Sequence, residues 1–139
     1  QNKDESMSLV KVFYQHREGG TELVNHERDL KFHREACETI DNYPWAKELE
    51  LFEELGEGGG FYFMLGDMDD KFASYQFTPV ESDGGLLELQ VVSRPGFIGL
   101  FGRKSVSVDF KFTSIPEAKH QIKELFEYSI DSLYQKYRK

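Results

Sequence analysis

The most distinctive chemistry in this chain is a run of eight carboxylates with no lysine or arginine among them. The chain has 139 residues and a formal net charge of −8, a value that this run alone could supply. A region of strong negative potential attracts cationic partners and repels nucleic acid. We therefore predict that these carboxylates, apart from Glu48, form a surface that binds a cationic protein. We predict no nucleic-acid partner. The run consists of Glu48, Glu50, Glu53, Glu54, Glu57, Asp67, Asp69 and Asp70.

Four of these carboxylates, Glu50, Glu53, Glu54 and Glu57, fall on or just after a predicted helix. Like charges four residues apart, as in Glu50 and Glu54, destabilise a helix by a few tenths of a kcal/mol. Because no lysine within the run offsets this cost, binding to a partner is one explanation for their retention. A solvated helix face followed by an acidic hairpin turn is the alternative.

The second acidic group, residues 67–70, has some features of a calcium-binding loop. Asp67 and Asp69 match the first two ligands of an EF-hand, but Phe72 and Thr78 stand where that loop needs a glycine and a glutamate. A tight turn explains the same aspartates, since Asp favours turn geometry. We predict a turn here and no metal site.

His33 and Cys37, four residues apart on a predicted helix, are the other candidates for metal binding or catalysis, with His26 seven residues before His33. Zinc would need a further ligand of obvious spacing, and none is present. A nucleophilic thiol normally takes its base from elsewhere in the fold. We therefore interpret Cys37 as a small buried side chain and His33 as a residue at the border of the core. His16 and His120 have no evident partner.

The sequence contains no recognisable catalytic signature. Residues 56–60 are rich in glycine, but a phosphate-binding loop leads from a strand into a helix, whereas this segment leads from a helix into a strand. The Gly-x-Ser-x-Gly, His-Glu-x-x-His and dinucleotide-binding motifs do not occur. We predict no catalytic residues, no cofactor and no enzyme activity. The alternative is a small-molecule-binding domain or enzyme with an aromatic pocket between helices and sheet, to which Trp45, Tyr62 and Tyr75 contribute.

Large apolar residues between glycines form a second candidate contact site. They lie in a connection between two predicted strands, where exposed apolar groups would indicate an interaction patch. The alternative is that this segment folds back onto the sheet or under a helix. Basic residues flank it, but the acidity of the chain argues against contact with anionic membranes, so we predict no membrane partner. The candidate contact residues are Phe97, Ile98, Leu100 and Phe101.

Length and composition predict a single domain over residues 1–139. An aromatic content of 14% is typical of a globular protein. One cysteine, Cys37, excludes an internal disulfide and fits a reducing cytoplasm. No apolar run approaches the ~20 residues of a membrane span. We expect residues 1–6, before Met7, to be disordered or left from cloning; the start of a mature chain after signal removal is the alternative.

Apolar spacing in the first half of the chain predicts two strands and two helices. The strands are residues 9–14 and 21–24, and the first helix covers residues 27–40. A second helix begins near Pro44 and ends at Gly56, because these residue types favour the two ends of a helix. The apolar face of that helix consists of Trp45, Leu49, Phe52 and Leu55.

The second half predicts four strands and one long helix. The strands are residues 61–65, 72–77, 86–93 and 105–113, and Ser114 caps a helix that runs from near Ile115 to about Tyr137. The whole pattern predicts an α+β fold, in which helices cover one face of an antiparallel meander of four to six strands. One face of the last strand carries Val106, Val108, Phe110 and Phe112. The apolar face of the long helix consists of Ala118, Ile122, Leu125, Phe126, Ser129, Leu133 and Tyr137.

In length, acidity, the carboxylates of residues 48–70 and the lack of a catalytic signature, the chain resembles the immunity proteins of bacterial toxin systems as a class. Those proteins are short, often acidic chains that each bind and neutralise one cognate toxin. The resemblance implies a bacterial, cytoplasmic inhibitor whose carboxylates meet a basic surface of the toxin and block access of its substrate. Charge complementarity would speed association, and buried aromatic anchors would set the lifetime of the complex. A subunit that oligomerises through its apolar loop is a third possibility.

Overall fold

One antiparallel sheet organises the fold. The structure is a computed structural model, and it describes residues 9–94 and 102–139. Six strands pair in the order β2-β1-β3-β4-β5-β6, and every neighbouring pair is antiparallel. The strands are β1 Val10–Arg17, β2 Leu23–Leu30, β3 Phe61–Gly66, β4 Phe72–Glu81, β5 Gly84–Arg94 and β6 Lys104–Ser114.

Five helices within these residues supply the second layer. The first two connect β2 to β3 across β1, and the other three follow β6. The predicted α+β architecture, an antiparallel sheet with helices against it, is confirmed. In the described part of the chain, no helix combines the length and apolar character that crossing a bilayer requires. The helices are α1 His33–Asp41, α2 Trp45–Leu55, α3 Ile115–Ile122, α4 Glu124–Glu127 and α5 Ile130–Tyr137.

The core lies between the helices and one face of the sheet. Side chains of a strand alternate between its two faces, and in β3 Phe61, Phe63 and Leu65 are buried while Tyr62 and Met64 are half-buried. Removal of the larger apolar side chains from water stabilises this layer by about 1.5–3 kcal/mol for each fully buried residue. The helices contribute Ala36, Ile40, Ala118, Ile122, Leu125 and Leu133 to the same core, and the connection between α1 and α2 contributes Tyr43.

Residues 27–30 form a strand, so the prediction of a helix over residues 27–40 is wrong in its first part. β2 pairs with β1 along eight residues, which satisfies the backbone groups of β2 that face β1. Leu30, at the end of β2, is buried in the core. The helix begins only at His33, where the Glu35 carboxylate accepts the N–H groups of Lys31 and Phe32 at 2.7 and 2.8 Å. Long-range pairing has here outweighed local spacing.

A bulge in β6 reverses the predicted facing of Phe112. Val108 and Phe110 pack against the core as the alternation predicts. The register with β5 then shifts by one residue, and Lys111 adopts a left-handed backbone with φ of 64°. The Asp109 carboxylate accepts the Lys111 N–H at 2.8 Å, which stabilises this conformation. Because a shift by one residue exchanges the two faces of a strand, Phe112 lies on the outer face and is 46% exposed.

The long C-terminal helix predicted from the sequence is divided into α3, α4 and α5. After α4, Tyr128 has an extended backbone (φ −118°, ψ 152°) that ends the helical segment. Ser129, predicted on an apolar helix face, is instead the N-cap of α5, where its Oγ accepts the Ser132 N–H at 3.1 Å. Serine favours this role because its hydroxyl replaces a missing backbone partner. Of the predicted core residues, Ile122, Leu125 and Leu133 are buried and Phe126 is half-buried.

A buried polar network joins these helices to the sheet. The Glu124 carboxylate accepts hydrogen bonds from the hydroxyls of Tyr75 at 2.6 Å and Tyr137 at 2.8 Å. Lys136 forms an ion pair with the same carboxylate, which raises the pKa of Lys136. Burial, together with the bond to Glu124, raises the pKa of Tyr75, so its hydroxyl stays protonated and remains a donor. Because the C-terminal helix is divided, Lys136 and Tyr137 lie beside Glu124.

We expect Leu125→Ala to lower the free energy of unfolding by about 2–5 kcal/mol, because Leu125 is fully buried and its truncation leaves a cavity. Leu86→Ala is the matched control, since the same substitution at a side chain that is 46% exposed should cost about 1 kcal/mol or less. Urea unfolding followed by circular dichroism measures both. Equal losses in the two variants would contradict the placement of Leu125 in the core.

Candidate protein-binding surface

A buried ion pair fixes α2 on the sheet. The Arg17 Nη1 donates to Glu48 Oε1 at 2.9 Å, and the Arg17 backbone N–H donates to Glu48 Oε2 at 2.7 Å. The two side chains are only 1% and 3% exposed. The remaining guanidinium donors bond to the carbonyl oxygens of Thr21 (Nε, 3.0 Å) and Glu57 (Nη2, 2.6 Å). Glu48 is therefore not part of the free acidic surface, and Arg17 contacts the chain near both ends of α2.

The glycine-rich segment after α2 lies against β1. Gly56 ends the helix with a left-handed backbone (φ 77°), and its N–H donates to the Phe52 carbonyl at 2.7 Å. A Cβ added at Gly59 would lie 2.1 Å from the Gln15 carbonyl oxygen, so only glycine fits this close approach. The Gln15 N–H also donates to the Gly60 carbonyl at 3.2 Å. The segment is thus a packed connection, and the course of the chain from α2 into β3 is fixed.

The C-terminal half of α2 presents carboxylates and apolar side chains together. Glu50, Glu53 and Glu54 are spaced by three and four residues, so they lie on one face of the helix, and all three are exposed. Phe52 and Leu55 are 47% and 44% exposed, although the sequence predicted them on the apolar face. In this half of α2 that face is only partly covered, whereas Trp45 at the start of the helix packs on Phe61 and Phe77. We call the group the α2 patch; it consists of Glu50, Phe52, Glu53, Glu54, Leu55 and Glu57.

The carboxylates of the α2 patch have no cationic partner among residues 9–94 and 102–139. Some exposed carboxylates elsewhere do have a cationic partner, as Glu27 and Asp29 have Lys11 at 3.3 and 3.5 Å. Lys119 pairs in the same way with Asp41 at 2.6 Å. The last turn of α2 contains no basic residue, so its carboxylates also face the negative end of the helix dipole. The α2 patch therefore carries uncompensated charge at some cost to helix stability.

Asp67, Asp69 and Asp70 lie in the turn between β3 and β4, as predicted, and are exposed. The Asp67 carboxylate accepts the Asp69 N–H at 2.9 Å, and the Asp67 carbonyl accepts the Asp70 N–H at 2.9 Å. These bonds explain the aspartates as turn residues. The six residues of β3 separate this turn from the α2 patch by about 20 Å at ~3.3 Å per residue. The structure thus places the two acidic groups at opposite ends of β3. The other predicted contact residues, Phe97, Ile98, Leu100 and Phe101, lie outside the described residues.

The aromatic residues predicted to share a pocket are in different environments. Tyr75 is fully buried and bonded to Glu124, and Trp45 packs in the core and donates its Nε1–H to the Ile40 carbonyl at 2.8 Å. Tyr62 belongs to the opposite face of the sheet, where it borders an open groove of about 660 Å³. Among the described residues, these three rings therefore line no common pocket. The prediction of a shared aromatic pocket between helices and sheet is wrong for this set of residues.

His33 and Cys37 are close, but His33 is oriented by a different bond. The His33 Nε2 lies 2.7 Å from the Lys119 carbonyl oxygen, which can only accept, so this nitrogen carries the proton. The Cys37 Sγ is 3.5 Å from the same nitrogen and 3.9 Å from Nδ1. Burial raises the pKa of the Cys37 thiol, the opposite of what an activated nucleophile requires.

The structure also brings together two residues that the sequence left apart. The sequence suggests no partner for His16, and it predicts that His26 lies just before a helix. In the structure both belong to the β1–β2 hairpin, and their rings stack with centroids 4.2 Å apart. The signal that could have revealed this pair is the hairpin register, in which His16 and His26 fall on one face of adjacent strands.

We expect Glu48→Ala to cost about 3–5 kcal/mol of stability, because it leaves the Arg17 guanidinium buried without its counter-charge. Glu50→Ala, on the exposed face of the same helix, should change stability by only about 0.5 kcal/mol. Urea unfolding measures both values. If the two substitutions cost the same, Arg17 and Glu48 do not hold α2 in place.

We expect the Cys37 thiol to react slowly with iodoacetamide at neutral pH. A raised pKa means that less of the thiol is ionised at pH 7, and the rate should rise only as the pH passes above the ordinary range for cysteine. The same chain unfolded in urea is the control and should react faster at every pH up to that range. Faster alkylation of the folded protein at pH 7 would identify an activated thiol and favour a catalytic role.

Comparisons with known proteins assign this chain to no family. No family model, no curated protein and no solved structure matches it. Its function is therefore inferred from the charge, exposure and contacts of the described residues alone.

Proposed function

We propose that this protein binds a cationic protein through the α2 patch and acts as an immunity protein that neutralises a bacterial toxin in the cytoplasm. One observation carries the proposal. The last turns of α2, with Glu57 just after it, carry four exposed carboxylates without a cationic partner on one side and two half-exposed apolar side chains, Phe52 and Leu55, on the other, and a buried ion pair holds this helix in place. Exposed apolar anchors with charged neighbours are a common composition of a protein-binding surface.

The two kinds of side chain have different roles in the proposed mechanism. The carboxylates raise the rate of encounter with a Lys/Arg-rich surface, because long-range attraction steers association. Phe52 and Leu55 lose their remaining contact with water in the complex and set its lifetime. Because Arg17 and the packed glycine segment fix α2, little conformational entropy is lost on binding. The bound protein blocks the toxin by covering the basic surface that its substrate would use.

The alternative of a small-molecule-binding domain or enzyme has less support. Tyr75 and Trp45, two of the three residues that would form its pocket, are packed in the core. Cys37, the residue best suited to covalent catalysis, has a raised pKa, and the lone pair nearest to its Sγ, on His33 Nδ1, is at the long distance of 3.9 Å. A binding surface on the outside of the molecule accounts for the unpaired carboxylates, and an internal pocket does not.

The proposal predicts that charge reversal at the α2 patch slows binding of the partner without lowering the stability of the fold. In Glu53→Lys/Glu54→Lys/Glu57→Lys, the like-charge repulsion and the unfavourable dipole interaction are removed, so the melting temperature should equal or exceed that of the parent. Association with the partner, captured from the source organism and then purified, should slow at least tenfold at low salt. The difference between variant and parent should shrink as salt rises, because salt screens the attraction beyond about 8 Å at physiological ionic strength.

A second triple variant controls for total charge. Glu22→Lys/Glu81→Lys/Glu88→Lys makes the same change at exposed carboxylates outside the patch and should slow association much less. Phe52→Ala should leave association nearly unchanged and raise the dissociation rate roughly tenfold or more. Equal slowing by both triple variants would assign the effect to net charge and contradict the α2 patch. Binding that leaves the partner's toxic activity intact would retain the binding surface and exclude the immunity function.

A further inference from the structure

The tip of the β1–β2 hairpin gathers three side chains that commonly ligate metals. His16 lies near the end of β1, Glu18 follows that strand, and His26 lies on β2, two residues beyond the partner of His16. The ligand atoms of these three side chains all lie within 4.8 Å of one another. Within residues 9–94 and 102–139, no other group of three or more histidine, cysteine or acidic side chains has this arrangement.

One nitrogen of each histidine is available for coordination. The Nδ1 of His16 lies 3.1 Å from the Arg17 carbonyl oxygen, so Nδ1 carries the proton and Nε2 keeps its lone pair. A bond of this kind is what normally orients a metal-ligating histidine. The Nε2 of His26 is buried and has no hydrogen-bond partner. It lies 3.5 Å from Glu18 Oε2.

The surroundings leave the negative charge of Glu18 free for a cation. The neighbouring Arg17 guanidinium is bonded to Glu48 and to the carbonyl groups of Thr21 and Glu57. Arg28, further along β2, pairs with Glu35 and Glu38. No lysine or arginine in the described part of the chain forms an ion pair with Glu18. A divalent cation would therefore meet an uncompensated carboxylate and an unpartnered imidazole nitrogen.

We propose that His16, Glu18 and His26 form a binding site for a divalent transition-metal ion, with Zn²⁺ as the ion of best fit. Two imidazole nitrogens and one carboxylate are a ligand set typical of Zn²⁺, and the nitrogens disfavour Ca²⁺ and Mg²⁺. Water completes the coordination. The two rings, now stacked with planes 19° apart, turn so that their lone pairs converge on the ion. A cavity of about 140 Å³ beside His16 gives its ring space for this movement.

Titration of the tag-free full chain with ZnCl₂ at about pH 7.5, where histidine is mostly neutral, tests the site by isothermal titration calorimetry. We expect one ion to bind per chain. His16→Phe and His26→Phe should each weaken binding at least tenfold, while they retain a ring for the stack. Glu18→Gln should weaken it severalfold. Saturating Zn²⁺ should raise the melting temperature of the parent and not that of His26→Phe, because a ligand stabilises only the state that it binds.

Three variants serve as matched controls. His120→Gln and Glu22→Gln remove exposed side chains of the same types away from the cluster, and Cys37→Ser removes the only thiol. All three should bind Zn²⁺ as the parent does, and MgCl₂ should give no heat of binding. The proposal is overturned if the parent binds no Zn²⁺, if binding survives in His16→Phe/His26→Phe, or if it is lost in Cys37→Ser.

Discussion

The contact between Arg17 and Glu48 determines where α2 lies, and with it much of the first half of the molecule. Removing an ion from water costs several kcal/mol even in a real protein interior, so such a pair persists only when its bonds are complete. Here the guanidinium bonds to a carboxylate and to the carbonyl groups of Thr21 and Glu57, while the carboxylate also accepts a backbone N–H. One side chain thus connects the end of β1, the hairpin turn and both ends of α2.

A second buried carboxylate, Glu124, joins helices to the sheet in the C-terminal part of the chain. Glu124 receives the hydroxyls of Tyr75 and Tyr137 and the ammonium group of Lys136. Gln121 donates to both hydroxyls at 3.1 and 3.3 Å, which completes the network. A single straight helix would carry residues 136 and 137 away from Glu124, and the extended backbone at Tyr128 turns them back. The break in the helix and the burial of Glu124 are therefore one structural feature.

The sequence predicts the parts of this fold that depend on local patterns. Pro44 and Gly56 mark the ends of α2, and alternation identifies β3 and the first part of β6. The failures occur where a distant residue decides the outcome. Residues 27–30 are a strand because β1 pairs with them, and Phe112 faces outward because the register with β5 shifts.

The candidate sites show the same division between local and distant information. Exposure of Glu50, Glu53 and Glu54 follows from their helical spacing, which is local. Glu48 belongs to the same run of carboxylates, yet it is buried because its partner lies 31 residues earlier in the chain. His16 and His26 meet only because a hairpin aligns them. A charged or polar residue cannot be assigned to surface or interior from one sequence when its partner is far away.

The bulge at Lys111 also affects how the protein behaves at high concentration. The described sheet ends at β2 and β6, and an end strand offers unpaired backbone groups to a strand of another molecule. In β6 the left-handed Lys111 interrupts the regular ladder, and in β2 the charged residues Glu27, Arg28 and Asp29 follow one another. Both features oppose edge-to-edge aggregation. A chain that exposes Phe52, Leu55 and Phe112 on its surface thereby limits self-association through its strands.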